Sequence, residues 1–199
     1  MKKIILLSLI ILFNNFSAHS QSTWFWQQPL PTGNYLYSVD FVNTNTGYAV
    51  GTVGTIMKTT NGGTNWEVQN SGFTSNLLGT NFFDANLGFA VGSNNGTILR
   101  TNNGGYNWTQ VFSGATTSMW SIDFPTRNIG YAVGLNGVVL KSTNEGISWL
   151  PLSSGTSASL FSVSFLDSLN GVASGSRKVI KTSDGGLNWV SQDINFINM

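Results

Sequence analysis

The sequence contains no cysteine and only one histidine, His19. Without cysteine the chain can form neither a disulfide nor a thiolate metal site. His19 lies in an N-terminal segment that we expect to be removed, so the mature chain has no histidine for a Ser-His-Asp triad, a Cys-His pair or a metal site. We therefore expect a protein without metal, without cofactor and without these classes of catalytic site.

Charge is scarce as well. Charged residues make up 9% of the chain, against about 25% in a typical soluble domain, whereas aromatic residues reach 13%. This composition indicates a polar, uncharged surface on a β-rich core rather than disorder. If residues 1–20 are removed, Lys2 and Lys3 leave with them, and seven basic residues then stand against eight acidic ones. That balance does not favour a nucleic-acid partner.

The N-terminus has the pattern of a secretory signal peptide. Two lysines precede the apolar run 4–13, and the small-residue sequence at 18–20 predicts cleavage before Gln21. The apolar run is shorter than the about 20 residues needed to cross a bilayer, and no later segment is a candidate span. We expect a secreted or cell-envelope protein, and the Gln21 start is typical of a Gram-negative bacterium.

One motif occurs four times at a nearly constant spacing. Each copy ends in a tryptophan, and these are Trp66, Trp108, Trp149 and Trp189. They are 42, 41 and 40 residues apart. A period of about 40–45 residues with strand-like composition is typical of β-propeller blades. The sequence therefore predicts an all-β propeller of four-stranded antiparallel blades, which span residues 36–76, 77–118, 119–159 and 160–199.

The order of strands within a blade follows from the repeat. Each copy begins with an apolar strand such as Leu36–Phe41, in which alternation puts Val39 and Phe41 on one side and Ser38 and Asp40 on the other. A second strand with the pattern GYAVG follows at 47–51. A third strand at 55–58 and a fourth that starts near the tryptophan complete the meander, with the short connections that hairpins require.

An eight-residue turn joins the third and fourth strands of every copy. We expect its Asn or Asp side chain to accept a hydrogen bond from a backbone N–H two residues on, and its tryptophan to cover the turn. The third copy has Glu145 where the others have glycine. The residues predicted to be structural in these turns are Asn61, Trp66, Asn103, Trp108, Asn144, Trp149, Asp184 and Trp189.

This turn resembles the Asp-box of BNR repeats, Ser/Thr-x-Asp-x-Gly-x-x-Trp. Together with the GYAVG strand, the repeat resembles that of the photosystem II stability/assembly-factor-like β-propellers, which are related to sortilin-like and sialidase-like propellers. The resemblance covers residues 24–199. Only Asp184 matches the motif's aspartate, but asparagine can make the same contact. The resemblance implies the fold but no particular activity, because Asp-boxes occur in enzymes and non-enzymes alike.

Residues 24–33 match the end of a repeat and supply a fourth strand without the preceding three. The last copy already has its own fourth strand at 189–191. We therefore expect the complete ring to include strands beyond Met199. The alternative is a four-bladed ring with the extra strand packed as a cap. An unclosed propeller exposes two blade sides, which favours self-association.

Two sets of charged residues are candidates for chemistry. Asp40 and Asp123 occupy the same strand position in two blades, and a glycosidase carboxylate pair needs a separation of roughly 5–10 Å. We favour the alternative that they are inner-strand positions hydrogen-bonded to their neighbours. A sialidase-like arginine triad is not expected, because Arg127 and Arg177 lie in turns at opposite ends of the blades. The repeated cations Lys58, Arg100, Lys141 and Lys181 are expected to solvate the outer part of each blade.

The candidate binding residues lie at one end of the blades. There, the turns after the second strands meet the connections into the first strands. Large residues enter the first strands, namely Tyr37, Leu78, Trp120 and Phe161, and the fourth blade adds Arg177 and Lys178. Aromatic side chains beside a cation suit a peptide or a sugar, and the alternative is that the aromatic residues pack between blades.

These observations predict a secreted or cell-envelope, non-catalytic propeller that binds a protein or glycan or serves as a scaffold. The role of the photosystem II assembly-factor-like family is implied by the resemblance alone. The alternative is a fragment of a sialidase-like or glycoside hydrolase-like enzyme with its catalytic residues outside this chain. Nearly uniform blade lengths favour the first prediction, because a built active site requires blade-specific insertions.

Overall fold

The structure, a computed structural model, describes residues 32–114 and 117–194. In these ranges the chain forms four antiparallel sheets of four strands each, and within every sheet the strands follow one another in sequence order. The predicted all-β architecture of four-stranded meanders is confirmed. The predicted leader, 1–20, and residues 24–31 of the predicted extra strand lie outside the described residues.

Each sheet is one blade. Blade 1 contains β1 (Leu36–Phe41), β2 (Gly47–Gly51), β3 (Ile56–Thr59) and β4 (Glu67–Gln69). Blade 2 contains β5 (Leu77–Phe82), β6 (Gly88–Gly92), β7 (Ile98–Thr101) and β8 (Thr109–Phe112). Blade 3 contains β9 (Met119–Asp123), β10 (Gly130–Gly134), β11 (Val139–Ser142) and β12 (Leu150–Leu152). Blade 4 contains β13 (Leu160–Phe165), β14 (Gly171–Gly175), β15 (Lys178–Thr182) and β16 (Val190–Asp193).

The glycine that begins each second strand has a packing cause. In blade 1, Phe41 pairs with Gly47 across the β1–β2 ladder, and the Phe41 ring lies over the glycine. A Cβ added at Gly47 would lie 2.7 Å from three atoms of that ring. The glycine therefore makes room for the aromatic ring of the strand beside it, which explains why the two residue types recur together in all four blades.

Consecutive blades pack against each other through their inner strands, so that β1, β5, β9 and β13 are neighbours in that order. The second strands of blades 1, 2 and 3 are buried along their whole length. Alternation divides each blade into two sides: Val39 and Phe41 point away from blade 2, whereas Ser38 and Asp40 hydrogen-bond to it. No helix in the described parts of the chain is both long and apolar enough to span a membrane.

Candidate binding face

A register shift marks the start of every inner strand. It leaves one residue without a partner in the β1–β2, β5–β6, β9–β10 and β13–β14 ladders. A β-bulge of this kind redirects a side chain out of the normal alternation. The four residues at this position are Tyr37, Leu78, Trp120 and Phe161. The residues that sequence analysis singled out by their size thus share one backbone irregularity.

The turns after the second strands lie beside these bulges, as expected. The Val53 amide donates to Asn76 Oδ1 at 3.1 Å, which joins a blade 1 turn to the connection into β5. In blade 4, the Ser176 amide donates to the Ser159 carbonyl at 2.8 Å. We call this end of the blades the bulge face. It comprises the four bulge residues and the turn residues with positive φ, which are Val53, Asn94, Asn95, Asn136 and Arg177.

Aromatic surface on the bulge face is concentrated where blades 3 and 4 meet. The ring centroids of Trp120 and Phe161 are 5.3 Å apart at an interplanar angle of 73°, an edge-to-face contact. Phe161 is 45% exposed and Tyr37 is 50% exposed, whereas Trp120 is half-buried. The Trp120 indole N–H is buried without an acceptor in the described structure. Trp120 therefore contacts the neighbouring blade through Phe161 and supports the exposed ring beside it.

The two basic residues of blade 4 differ in their surroundings. Lys178 Nζ lies 2.7 Å from Asp193 Oδ1, so the outer strand of the same blade neutralises this charge. Arg177 is exposed in the β14–β15 turn with φ +55°, and its guanidinium has no ion-pair partner in the described ranges. Because β13 and β14 pair at Leu160 and Gly175, Arg177 and Phe161 lie at the same end of blade 4. Arg177 is thus the cation available at the bulge face.

The Asp-box turns lie at the opposite end of the blades. In the first turn, Asn61 Oδ1 accepts from the Asn65 amide at 2.8 Å, and Thr59 Oγ1 accepts from the Gly63 amide at 2.9 Å. The Asn103, Asn144 and Asp184 side chains make the same contact in their blades. The acceptor therefore reaches an N–H four residues on, and the prediction of two residues was wrong. The longer reach follows from the positive φ of the two residues in between.

Each Asp-box tryptophan packs edge-on against the phenylalanine that ends the inner strand of its own blade or, in blade 3, directly follows it. The centroid distances range from 5.7 to 6.0 Å. Trp149 is the most enclosed, being 5% exposed, and its indole N–H donates to the Gly146 carbonyl at 3.1 Å. Backbone and side-chain N–H groups of Asn188, together with Thr182, lower the pKa of Asp184 to about 2. Stabilisation of the turn and of the blade edge is thus built into one motif.

The repeated cations do not solvate the outer part of the blades, and that prediction was wrong for three of the four. Lys58 Nζ donates to the Gly104 carbonyl at 2.9 Å, and Lys141 Nζ donates to the Gly185 carbonyl at 2.7 Å. Arg100 Nε donates to the Glu145 carbonyl at 2.9 Å. Each cation therefore reaches the Asp-box of the next blade, whose carbonyl oxygens need donors.

The inner-strand acids also join blades. Asp40 Oδ2 accepts from the Phe82 amide and Asp123 Oδ2 from the Phe165 amide, both at 2.6 Å. Burial raises the pKa of both carboxyls, and the hydrogen bonds to backbone amides only partly oppose this. The favoured expectation, that they are hydrogen-bonded inner-strand positions, is confirmed. Residues 32–114 and 117–194 contain no cluster of three or more metal-ligating side chains.

The sequence and the fold of this chain are similar to those of known proteins. The family model described as Photosynthesis system II assembly factor YCF48 matches residues 17–76 and 65–156. No curated protein matches the sequence. YCF48 bound to D1 peptide is 22% identical with a TM-score of 0.69, over 84% of this chain and 56% of that one.

Two further solved structures are similar. YCF48 from Cyanidioschyzon merolae is 23% identical with a TM-score of 0.68, over 85% of this chain and 59% of that one. An ancestral GH74 enzyme is 24% identical with a TM-score of 0.67, over 82% of this chain and 25% of that one. At these identities the likeness shows the fold. The chain spans just over half the length of the two YCF48 chains it matches.

Proposed function

The chain belongs to the photosynthesis system II assembly factor YCF48 family, and on that premise we propose that it is a non-catalytic propeller that binds a segment of a partner protein at the bulge face. The observation that carries the proposal is the exposed Phe161 ring, which is backed by Trp120 and lies at the same end of blade 4 as Arg177. One structural neighbour is YCF48 bound to D1 peptide, which supports a polypeptide as the ligand class.

The chemistry of the bulge face suits an extended peptide. Phe161 offers a large apolar contact on a side chain with two rotatable angles, so little conformational entropy is lost on binding. Arg177 can hold a carboxylate or a main-chain carbonyl with its planar guanidinium. Both side chains project from the ends of paired strands, and a rigid support of this kind keeps a binding site in its productive geometry.

A glycan is the alternative ligand, because sugar rings also pack on aromatic side chains. An enzyme of the GH74 type is a second candidate function, which the fold match and the two inner-strand carboxylates favour. Each of these carboxylates already accepts a hydrogen bond from a backbone amide of the next blade. Because the carboxylates have this structural role, we rank hydrolysis below binding. We expect no release of reducing sugar from β-glucans. Activity that is lost in Asp40→Asn or Asp123→Asn would establish the enzyme instead.

The proposal includes export. Residues 1–20 have the charge and apolar pattern of a leader, and we propose that the protein acts outside the cytoplasm, as a secreted or cell-envelope protein of a Gram-negative bacterium. N-terminal sequencing of the protein from its native cell is expected to start at Gln21. A native protein that still carries Lys2 and Lys3 would contradict export by cleavage.

Site-directed photo-crosslinking tests the proposed binding. p-Benzoylphenylalanine in place of Phe161 is expected to trap one polypeptide in native cells, with the adduct confined to a short contiguous segment. The matched control carries the same group in place of Tyr106, which is exposed in the second Asp-box at the other end of the blades. Equal adducts from both positions would indicate nonspecific contact, and an adduct removed by glycosidases would identify a glycan.

We also propose self-association through an exposed side of the blades that is separate from the bulge face. In the described structure, Leu36, Val39 and Phe41 of blade 1 are 47%, 59% and 43% exposed, which supports such a contact.

A further inference from the structure

Five asparagines of the chain are followed directly by glycine. They are Asn61, Asn95, Asn103, Asn136 and Asn170. The backbone nitrogen of the following residue is sterically open in such a pair, because glycine has no Cβ to shield it. That nitrogen can attack the side-chain carbonyl carbon of the asparagine, which is the first step of spontaneous deamidation. All five pairs share this chemistry, so the fold decides which of them react.

Two of the pairs lie in Asp-box turns, where hydrogen bonds hold both reacting groups. The Gly62 amide donates to the Asn45 carbonyl at 2.8 Å, and Asn61 Oδ1 accepts from the Asn65 amide at 2.8 Å. The second Asp-box repeats both contacts around Asn103. A nitrogen whose N–H is donated to a carbonyl is a poor nucleophile, and the bonds to Oδ1 keep the side chain in place. These pairs are therefore protected.

The pair at Asn170 is held by a strand. Gly171 begins β14 and pairs with Phe165 on one side and with Thr182 on the other. The Asn170 side-chain amide donates to both carboxylate oxygens of Asp167, at 3.1 and 2.9 Å. Because the backbone and the side chain of this pair are both fixed, attack of the Gly171 nitrogen on Asn170 requires local opening of the blade.

The two remaining pairs lie on the bulge face and lack these restraints. Asn95 and Asn136 are exposed turn residues with φ of +60° and +58°. Among the described residues, neither side chain has a hydrogen-bond partner, and the amides of Gly96 and Gly137 donate to no acceptor. Exposure does not distinguish these pairs from the Asp-box pairs, because Asn61 is exposed as well. The hydrogen bonds distinguish them.

We propose that Asn95 and Asn136 are sites of spontaneous deamidation in the folded protein, whereas the other three pairs react much more slowly. The glycine nitrogen forms a bond to the asparagine Cγ and loses its proton, and the Cγ–Nδ2 bond breaks to release ammonia. Water then opens the resulting succinimide ring at either carbonyl, which leaves aspartate or isoaspartate. The net reaction consumes water and converts a neutral amide into a carboxylate and an ammonium ion.

The modification changes the charge and the main chain of the bulge face. Each converted site adds a negative charge at the end of the blades where Arg177 is the available cation. Isoaspartate also lengthens the main chain, and it does so in a turn of blade 3 that the Val138 amide closes on the Leu135 carbonyl at 3.2 Å. The proposal is independent of partner binding, because deamidation requires neither a ligand nor an enzyme.

Peptide mass spectrometry of the purified full chain tests the proposal. After incubation in mildly alkaline buffer and digestion at acid pH, peptides that contain Asn95 or Asn136 should show the mass gain of amide-to-acid conversion. An isoaspartyl methyltransferase should label the same peptides. Conversion at Asn61 and Asn103 should be roughly tenfold slower, because at least two hydrogen bonds must break first and a factor of ten corresponds to about 1.4 kcal/mol.

The denatured chain is the matched control. In guanidinium chloride all five pairs should convert at similar rates, because the fold no longer distinguishes them. If Asn95 or Asn136 stays intact in the folded protein under conditions in which the denatured chain converts, the proposal is overturned for that site. Equal rates at Asn95 and Asn61 in the folded protein would overturn the role of the hydrogen bonds.

A double variant assigns the change in charge. Asn95→Gly combined with Asn136→Gly should fold like the wild type, because glycine adopts positive φ without strain, and an unchanged circular dichroism spectrum verifies this. On isoelectric focusing, the wild type should become more acidic during incubation, whereas the double variant should not. An equal acidic shift in both proteins would contradict these two sites as its source.

Discussion

The ammonium nitrogen of Lys58 lies 2.9 Å from the main-chain carbonyl oxygen of Gly104. The two residues are 46 positions apart and belong to different blades. The same ammonium lies 5.3 Å from the centre of the Tyr48 ring, which stacks on Phe82 of blade 2. A cation, an aromatic ring and a turn carbonyl thus form one unit that joins neighbouring repeats, and the stability of each blade depends on the blade beside it.

Removal of this cation should destabilise the protein. Lys58→Met leaves the Gly104 carbonyl with one donor fewer, and the loss of a hydrogen bond from a charged group typically lowers the free energy of unfolding by about 1.5–3 kcal/mol. Urea unfolding measures the change. Lys181→Met is the matched control, because Lys181 has the same register but no partner in the described chain. Equal losses of stability in the two variants would contradict a stabilising role of the Lys58–Gly104 hydrogen bond.

The hydroxyls of Tyr48 and Tyr131, which lie between neighbouring blades, should make the protein sensitive to alkali. Burial raises the pKa of Tyr48 and of Tyr131 to about 12, from 10.0, with smaller contributions from nearby acids. Since the folded pKa exceeds the unfolded one, the stability these groups confer is present below pH 10 and is lost between pH 10 and about 12. Tyr131→Phe should reduce this loss, and unfolding measured from pH 9 to 12 tests it. An unchanged slope would contradict burial of the hydroxyl.

The inner-strand acids should also lower the stability of the protein as pH rises, but in a lower pH range than the tyrosines. Burial raises the pKa of Asp40 and Asp123, so their protonated forms are favoured in the folded state and stability falls as pH rises through the folded pKa. Relative to the wild type, Asp40→Asn and Asp123→Asn should therefore raise the free energy of unfolding more at pH 7 than at pH 3. Asn81 stands at the same position in blade 2, so this strand position accommodates an asparagine, and its Oδ1 is buried without a hydrogen-bond partner in the described structure. A loss at pH 7 would mean that the charged hydrogen bond outweighs desolvation.

The repeat made the fold predictable from sequence. Gly47 and Phe41 are neighbours across a ladder, and Asn61 and Trp66 belong to one turn, so these short-range relations recur as a visible pattern. The family match confirms the resemblance that this pattern suggested. Third-strand bounds differed by one residue, since β3 is Ile56–Thr59 rather than 55–58. The residues where a strand meets a hairpin turn have no distinctive sequence pattern, so the exact ends of strands are hard to predict.

The contacts between blades and the arrangement of the bulge face could be predicted less well from the sequence. The Lys58–Gly104 contact joins residues one repeat apart, and only the recurrence of a cation before each turn could have indicated it. Trp120 and Phe161 were identified by size, but their contact depends on the angle between blades, which no local pattern encodes. The Lys178–Asp193 pair was missed because it spans two strands, and it leaves Arg177 as the available cation.

Tryptophan substitutions should show how unequal the Asp-boxes are. Trp149 is almost fully buried and contacts Phe89 of blade 2 as well as Phe124 of its own blade. Trp149→Ala is expected to lower the free energy of unfolding by about 3–5 kcal/mol, as is typical of a buried tryptophan. Trp66 lies in blade 1 and is only half-buried, so Trp66→Ala should cost clearly less. Chemical denaturation compares the two, and the reverse order would contradict the greater burial of Trp149.

Binding at the bulge face is the central claim, and its most direct test is the affinity for the peptide segment identified by crosslinking. Isothermal titration should show that Phe161→Ala weakens binding at least tenfold, which is about 1.4 kcal/mol and typical of an exposed aromatic anchor. Tyr106→Ala, at the Asp-box end, should bind like the wild type, and both variants should unfold at the wild-type urea midpoint. Equal affinity of the two variants for the peptide would contradict the bulge face as the binding site.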